Sequence, residues 1–213
     1  HNNVGIGYSA LATNDAANNT AVGYRALTTN AWGTGNTALG ADTLRLNSTG
    51  QYNVAIGNDA LGINVDGSKN VAIGNSTLVA QEPDSAVDML NTAVGYGAGA
   101  AVSTGIQNTF LGAEAGDSLQ TSSYNTAVGK SALSAACSDG NTTVGYASLF
   151  AATGTHSTAM GVNAGYGVTS GDNNLILGFD AGRTGSPSGN ITTGSNTIVL
   201  GDEILRLAEE GKL

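Results

Sequence analysis

Apolar and polar residues alternate over short stretches that end in glycine. In residues 19–23, Asn-Thr-Ala-Val-Gly, a β-branched residue and an aliphatic residue flank one alanine, which is the period-two pattern of a β-strand. Asn at the start and Gly at the end favour turns, because Asn tolerates a left-handed backbone and Gly has no Cβ that could clash. The alternation therefore predicts a short strand between two turns.

This phrase recurs twelve times, in a register set by its glycine. Successive glycines are 16 or 17 residues apart, except for one spacing of 21 and one of 23. Asn stands four residues before the glycine in ten copies, and an aliphatic residue or Met stands directly before it in all twelve. Four residues after it stands Leu in eight copies and Gly in four. The repeat glycines are Gly7, Gly23, Gly40, Gly57, Gly74, Gly95, Gly112, Gly129, Gly145, Gly161, Gly178 and Gly201.

A unit of this size cannot bury its own apolar face, so successive units must stack, each strand parallel to its equivalent one coil away. The period predicts an all-β fold, a parallel β-solenoid of about twelve coils of 16–17 residues. At about 4.8 Å per coil, the rod is roughly 50 to 60 Å long. We place the solenoid in residues 1–201, with insertions near 79–90 and 183–195. Residues 202–213 favour the start of a following β-hairpin or shaft element over a helix, and we expect the chain to be a fragment of a longer protein.

Stacking brings equivalent residues together in columns. Amide side chains in register can hydrogen-bond along the rod, so we expect a structural ladder of Asn19, Asn36, Asn53, Asn70, Asn91, Asn108, Asn125 and Asn141. The residues directly before the glycines are expected to fill the interior, together with leucines such as Leu27. The alternate strand residue, usually Ala, is expected on the outside with the glycine, where another backbone could approach closely.

Composition and charge narrow the classes of function. Sixteen acidic residues against seven basic ones give a formal charge of −9, which repels phosphate backbones, so nucleic acid is not an expected partner. The apolar runs are too short to cross a bilayer, so we expect no membrane insertion by this segment. The single cysteine, Cys137, cannot form a disulfide within the chain, and we interpret it as a small buried or loop thiol.

Several of these phrases resemble the repeats of known fibrous proteins. Residues 53–61 (NVAIGNDAL) and 70–78 (NVAIGNSTL) are similar to repeats in the heads of trimeric autotransporter adhesins, and residues 19–27 (NTAVGYRAL) resemble related bacteriophage tail-fibre repeats. The resemblance covers Asn3 to about Gly201, and it implies a left-handed parallel β-roll in intertwined homotrimers. The period here is longer than that of the compact adhesin head, so each coil should be wider or carry a longer outer turn. The end of the chain is similar to a hairpin frequent in phage fibre shafts.

The repeat also has features in common with two other classes of solenoid, one enzymatic and one ice-binding. The aliphatic-Gly-x-x-small hexads resemble those of hexapeptide-repeat acyltransferases, but that family needs three hexads per coil and a catalytic histidine, for which His156 is no convincing candidate. An ice-binding solenoid would display a regular threonine grid, which Val4, Val54 and Val71 interrupt. We therefore expect no enzyme activity, no cofactor and no metal site, and we keep the acyltransferase and the ice-binding solenoid as alternatives.

Binding specificity is expected where the repeat is broken, because loops on a regular scaffold carry function. The candidate receptor contacts are Trp32 in a return segment, Glu82, Asp84 and Asp88 in the first insertion, and Arg183 at the second. Each has an alternative interpretation: Trp32 could pack on a neighbouring coil or chain, and the acidic residues could simply be solvated.

Together these observations favour a structural and adhesive segment of an extracellular, homotrimeric surface fibre. Its partner would be a cell-surface receptor, either a glycan or a protein. We favour a phage tail fibre that attaches the virion to its host, with a bacterial trimeric autotransporter-type adhesin as the alternative. A stiff acidic rod would then bind through several weak contacts at once, and avidity would multiply them.

Overall fold

The computed structural model describes residues 2–183 and 191–201. Within them, twelve three-residue strands stack into one parallel sheet, and two two-residue strands form a second sheet. The main sheet contains β1 (Val4–Ile6), β2 (Thr20–Val22), β3 (Thr37–Leu39), β4 (Val54–Ile56), β6 (Val71–Ile73), β8 (Thr92–Val94), β9 (Thr109–Leu111), β10 (Thr126–Val128), β11 (Thr142–Val144), β12 (Thr158–Met160), β13 (Leu175–Leu177) and β14 (Ile198–Leu200). The second sheet pairs β5 (Gly67–Ser68) with β7 (Val87–Asp88). The predicted all-β parallel solenoid is confirmed; the element predicted at 202–213 lies outside the described residues, as does most of the second insertion.

The strands pair in the register that the glycine alignment predicts. Ala21 lies opposite Ala38, and Ala38 lies opposite Ala55. The register continues across the first insertion, where Ile73 pairs with Val94. The additional residues of that insertion therefore leave the main sheet unshifted.

The strand faces are the reverse of those predicted. The strand alanines are buried, and Ala21, Ala38 and Ala55 are each 0% exposed, so the expected outer face of Ala and Gly is wrong. The residues directly before the glycines lie on the outside, and Leu39 and Leu111 are 47% and 49% exposed. The interior position expected for these residues is therefore wrong for Val22, Leu39, Ile56, Ile73, Val94, Leu111, Val128 and Val144.

The reversal follows from the width of the coil. The leucines that follow the glycines lie inside the coil, as predicted: Leu27, Leu44, Leu61, Leu78, Leu133 and Leu149 are each 0% exposed. They belong to the same cluster as the strand alanines, and an interior filled to normal protein density has little room for a second large side chain opposite each of these leucines. The leucine takes that room, so the inward strand position takes a methyl group.

Exceptions to this rule compensate one another. In β9 the inward position is Phe110, and both leucine positions around it are glycines, Gly99 and Gly116. A Cβ on Gly99 would lie 2.9 Å from Phe110 Cδ2. Ile176 in β13 is accompanied in the same way by Gly165 and Gly182. A large inward strand residue thus goes together with glycine at the neighbouring leucine positions, and the coils with these glycines also bury Val102, Leu119 and Val168.

The repeat glycine is required by both conformation and contact. Within the described residues, the repeat glycines from Gly7 to Gly178 have φ values between 117° and 141°, which side chains of L-residues rarely adopt. A Cβ on Gly57 would lie 2.5 Å from the carbonyl carbon of Gly74 in the next coil. Each coil can therefore approach the next only through a residue without a side chain.

The asparagine column hydrogen-bonds from coil to coil. The backbone N–H of Asn36 donates to Oδ1 of Asn19 at 2.8 Å, and Asn36 Nδ2 donates to the carbonyl of Gly50 at 2.8 Å. The pattern repeats along the rod, with Ser157 in place of one Asn. Because these side chains are buried, the bonds satisfy amide groups that would otherwise be costly to bury.

A second amide ladder was not predicted. Nδ2 of Asn47 donates to Oδ1 of Asn30 at 2.7 Å, and Nδ2 of Asn64 donates to Oδ1 of Asn47 at 3.3 Å. Gln81 ends this ladder and accepts from Asn91 Nδ2 at 3.0 Å, which joins it to the first ladder. The signal was present, since Asn stands ten residues before three consecutive repeat glycines.

Candidate functional site

A stripe of aliphatic side chains runs along the outside of the main sheet. We call it the outer stripe; it consists of Ile6, Val22, Leu39, Ile56, Ile73, Val94, Leu111, Val128, Val144, Met160, Leu177 and Leu200. None of these residues is buried, and Ile6 and Met160 are 60% and 54% exposed. Because strands in a sheet are about 4.8 Å apart, the stripe is continuous over roughly 50 Å.

Aromatic residues border the outer stripe on one side. Tyr8, Tyr24, Tyr96, Tyr146 and Phe179 each follow a repeat glycine and are 74%, 48%, 61%, 54% and 70% exposed. The rings of Tyr8 and Tyr24 stack at 5.7 Å, and the guanidinium of Arg25 lies 4.8 Å from the Tyr24 ring centroid. We call these five residues the aromatic ribbon; it widens the apolar surface beside the stripe, and residues such as Asn58 and Lys130 interrupt it.

On the other side of the strands, each coil exposes one variable residue. The residue before the ladder position has φ between 52° and 75° in eleven described coils, and we call this set the variable column. It contains Asn18, Gly35, Tyr52, Lys69, Leu90, Gln107, Tyr124, Gly140, His156, Asn173 and Asn196. The left-handed backbone recurs here although the residue type does not, so this position is free to change while its neighbours repeat.

The first insertion is anchored at its two ends. Pro83 and Met89 are buried, and Met89 N–H donates to the Ser68 carbonyl at 3.0 Å. Glu82 is partly buried, and its Oε2 accepts from the Val65 N–H at 2.7 Å. Burial raises the pKa of Glu82, partly offset by that hydrogen bond. Through this hydrogen bond Glu82 joins two coils of the solenoid.

The middle of the insertion forms one wall of a groove. β7 pairs with β5 in parallel, and the groove between the coils and the insertion encloses about 630 Å³. We call it the insertion groove; it is lined by Gln51, Tyr52, Ser68, Lys69, Ala86, Val87 and Asp88. Nζ of Lys69 donates to Oδ2 of Asp88 at 2.6 Å across it.

The structure separates the candidate receptor contacts of the sequence. Asp88 lines the insertion groove, whereas Trp32, Glu82 and Asp84 do not. Trp32 is 69% exposed, and Asp84 is exposed on the insertion. Arg183 pairs with Asp180 at 3.2 Å and lies 5.6 Å from the Tyr166 ring centroid. The structure does not test any of the five as a receptor contact.

Four lining residues of the groove in regular coils were missed by sequence reasoning. They are Gln51, Tyr52, Ser68 and Lys69, and a search for breaks in the repeat does not find them because they lie outside the insertion. The sequence did contain a signal: the residue type directly before each ladder asparagine varies from coil to coil, and Tyr52 and Lys69 are two such residues in the coils that precede the insertion at 79–90.

The described residues contain no group of three or more His, Cys, Asp or Glu side chains placed to hold a metal ion. Nor does any helix in that part of the chain have the length and hydropathy to cross a membrane. Cys137 is 3% exposed, and burial raises the pKa of its thiol to about 12. At neutral pH the thiol stays protonated, which is a poor state for a nucleophile.

Comparison of the chain with family models, with curated proteins and with solved structures gives no match. The surfaces described above and the repeat phrases are therefore the basis for the function of the chain.

Proposed function

We propose that this chain is a structural and adhesive segment of a homotrimeric surface fibre, of the phage tail-fibre kind that attaches a virion to its host. The observation that carries the proposal is the outer stripe. A single chain leaves these aliphatic side chains in water, although covering them would lower the free energy by about 25 cal/mol for each Å² of apolar area.

Identical copies are the partners that fit this surface. The stripe is one strand wide and roughly 50 Å long, so only a straight element of the same length can cover it. A second copy offers a stripe with the same repeat distance and the same chemistry. Parallel copies in register would place Leu39 beside Leu39 and Leu111 beside Leu111 at every level of the rod.

Threefold closure explains why exposed aromatic residues lie beside the aliphatic stripe. Around a threefold axis each strand face points inward, and each chain contacts two neighbours, one on either side. The aromatic ribbon beginning at Tyr8 and Tyr24 would then pack near the neighbouring chain. The resemblance of residues 19–27 and 53–61 to repeats of trimeric fibres supports the same number of chains.

Attachment is the role that such a rod performs. Three parallel chains would present every variable residue three times at one level, and a weak contact becomes strong when several act together. The formal charge of −9 per chain argues against a polyanionic partner such as nucleic acid. The bacterial adhesin is the second candidate, because its repeats resemble residues 53–61 and 70–78 as closely.

Adsorption of the fluorescently labelled 213-residue chain to a panel of bacterial cells tests the proposal. The chain should bind one or more strains, and Leu111→Asp, which places a charge in the outer stripe, should lower the apparent affinity at least about tenfold by abolishing multivalency. Thr104→Asp adds the same charge to an exposed bend residue that belongs to neither the outer stripe nor the variable column, and it should leave adsorption unchanged.

The outcomes separate the candidates. Binding to surfaces coated with host extracellular matrix, together with no binding to bacteria, would favour the adhesin over the tail fibre. Failure to bind either surface would contradict an adhesive role.

A further inference from the structure

We propose that the insertion groove is a binding site for a neutral saccharide. The inference rests on the proposed attachment function, and it names the chemical class of the receptor and the residues that hold it. Nothing in the repeat itself requires the groove, because the main sheet keeps its register across the insertion. The four additional residues of the 21-residue spacing supply the wall formed by Val87 and Asp88.

Tyr52 places an aromatic ring in the lining of the groove. Tyr52 is 59% exposed and has φ of 55°, so its side chain projects from the coil. The ring lies over Gly35 of the preceding coil, where a Cβ would be 2.8 Å from Tyr52 Cδ1. Since glycine has no side chain to compete for this space, the ring packs against the preceding coil while more than half of the residue stays exposed to a ligand. The C–H face of a pyranose packs well on such a surface.

The polar groups of the groove match hydroxyl groups. Lys69 presents N–H donors and Asp88 presents carboxylate acceptors, with Nζ and Oδ2 only 2.6 Å apart. A saccharide hydroxyl both donates and accepts, so two neighbouring hydroxyls can each bond to one member of this pair. Gln51 adds an amide with both donor and acceptor groups beside Tyr52.

The charges favour a neutral ligand over an acidic one. Lys69 and Asp88 form an ion pair, so the groove carries no net positive charge that would select a carboxylate or phosphate. The side chains of both are about half exposed, at 46% and 51%, and remain accessible from solvent. The formal charge of −9 on the chain further opposes the approach of an acidic polymer.

The groove is held in place by bonds that do not use the ligand-facing groups. Lys69 N–H donates to the Gln51 carbonyl at 2.9 Å, and Gln51 N–H donates to Ser68 Oγ at 3.0 Å. The buried Met89 fixes the insertion directly after Asp88. The backbone of the site is therefore ordered before a ligand arrives, which lowers the entropic cost of binding.

A printed array of neutral and acidic bacterial oligosaccharides tests the inference with the full 213-residue chain. The wild-type chain should bind neutral saccharides, and Tyr52→Gly should weaken that binding at least about tenfold. Glycine already occupies this position in two coils, as Gly35 and Gly140, so the substitution preserves the backbone. Lys69→Ala should cause a similar loss, because a charged hydrogen bond is removed.

Tyr124→Gly is the matched control. Tyr124 has the same place in its coil, φ of 61° and 56% exposure, but it does not line the groove. The Tyr124→Gly variant should bind the array as the wild-type chain does. Equal loss in Tyr124→Gly and Tyr52→Gly, or no loss in Tyr52→Gly, would overturn the site.

Adsorption to cells, measured on the same variants, separates this inference from the proposed function. A chain that adsorbs to bacteria but binds no saccharide, or only acidic ones, overturns the groove and leaves the fibre proposal standing. A chain that binds neutral saccharides through Tyr52 but adsorbs to no cell supports the groove and contradicts the attachment role.

Discussion

Phe110 occupies the interior space that a side chain at Gly116 would fill. A Cβ on Gly116 would lie 2.5 Å from Phe110 Cδ1, well inside van der Waals contact. In most coils the same space is shared by an inward alanine and a leucine, as with Ala21 and Leu27. This coil therefore has a large side chain at the inward strand position and glycine at the leucine position, with Leu119 buried three residues later.

Exchanging the sizes of these two residues should give the coil the alanine and leucine pair seen in Ala21 and Leu27. We expect Phe110→Ala alone to lower the free energy of unfolding by about 3 to 5 kcal/mol through the cavity it leaves. Gly116→Leu alone should lower it by about 1 to 3 kcal/mol through overpacking. The double variant should lose at least about 1 kcal/mol less than the sum of the two, because the leucine fills the cavity. Urea unfolding followed by circular dichroism measures this, and strict additivity would contradict the exchange.

The repeat glycines should tolerate no side chain. Gly57→Ala places a Cβ against the next coil at φ of 128°, and we expect a loss of about 3 kcal/mol or more. Gly97→Ala is the control, because nothing lies within 4 Å of its Cβ position and φ is 62°. It should change stability by no more than about 1 kcal/mol. Thermal unfolding of both variants gives the comparison, and equal melting temperatures would refute the close-contact argument.

The asparagine ladder should be sensitive to the loss of its acceptor. Asn108 Oδ1 accepts from the Asn125 N–H at 2.9 Å, and its Nδ2 donates to the Ser122 carbonyl at 2.9 Å. Asn108→Ala leaves both buried groups unpaired, at about 1 to 3 kcal/mol each. Asn108→Ser should cost less, since Ser157 Oγ already accepts from the Asn174 N–H at 3.2 Å in its own coil. Urea midpoints that rank serine no better than alanine would count against this role of the ladder.

Asp117 should make stability depend on pH. Burial raises its pKa, partly offset by a hydrogen bond with Ser134, and its Oδ1 is buried without a hydrogen-bond partner. A raised carboxyl pKa contributes stability below the ordinary value of about 3.9, which is lost as the pH rises through the folded-state pKa.

Asp117→Asn should therefore be more stable than the wild-type chain at pH 7, and this difference should shrink towards pH 4. Melting temperatures across that range measure the effect. Gln120→Asn, which changes an exposed amide in the same coil and no charge, should shift the melting temperature by the same amount at every pH. A constant difference between Asp117→Asn and the wild-type chain at all pH values would contradict the assignment to Asp117.

The fold could be predicted from the sequence more completely than the outer stripe and the insertion groove could. Strand positions, parallel pairing and register follow from the glycine period, because a repeated unit of this size has to stack. The orientation of the strand did not follow: Val22 and Leu39 were expected inside because large apolar residues usually are, and only the coil width shows that Leu27 already occupies that space. The insertion groove depends on residues that lie far apart in the chain, such as Tyr52 and Asp88, so no local sequence motif indicates the groove.

Sedimentation equilibrium of the 213-residue chain tests most directly whether identical copies cover the outer stripe. The wild-type chain should sediment at three times the mass of one chain, and the double variant Leu39→Asp/Leu111→Asp should sediment at the mass of one chain while keeping its β-sheet circular dichroism. A wild-type chain that stays monomeric across the concentration range, with Leu39 and Leu111 open to solvent, would contradict the trimeric fibre.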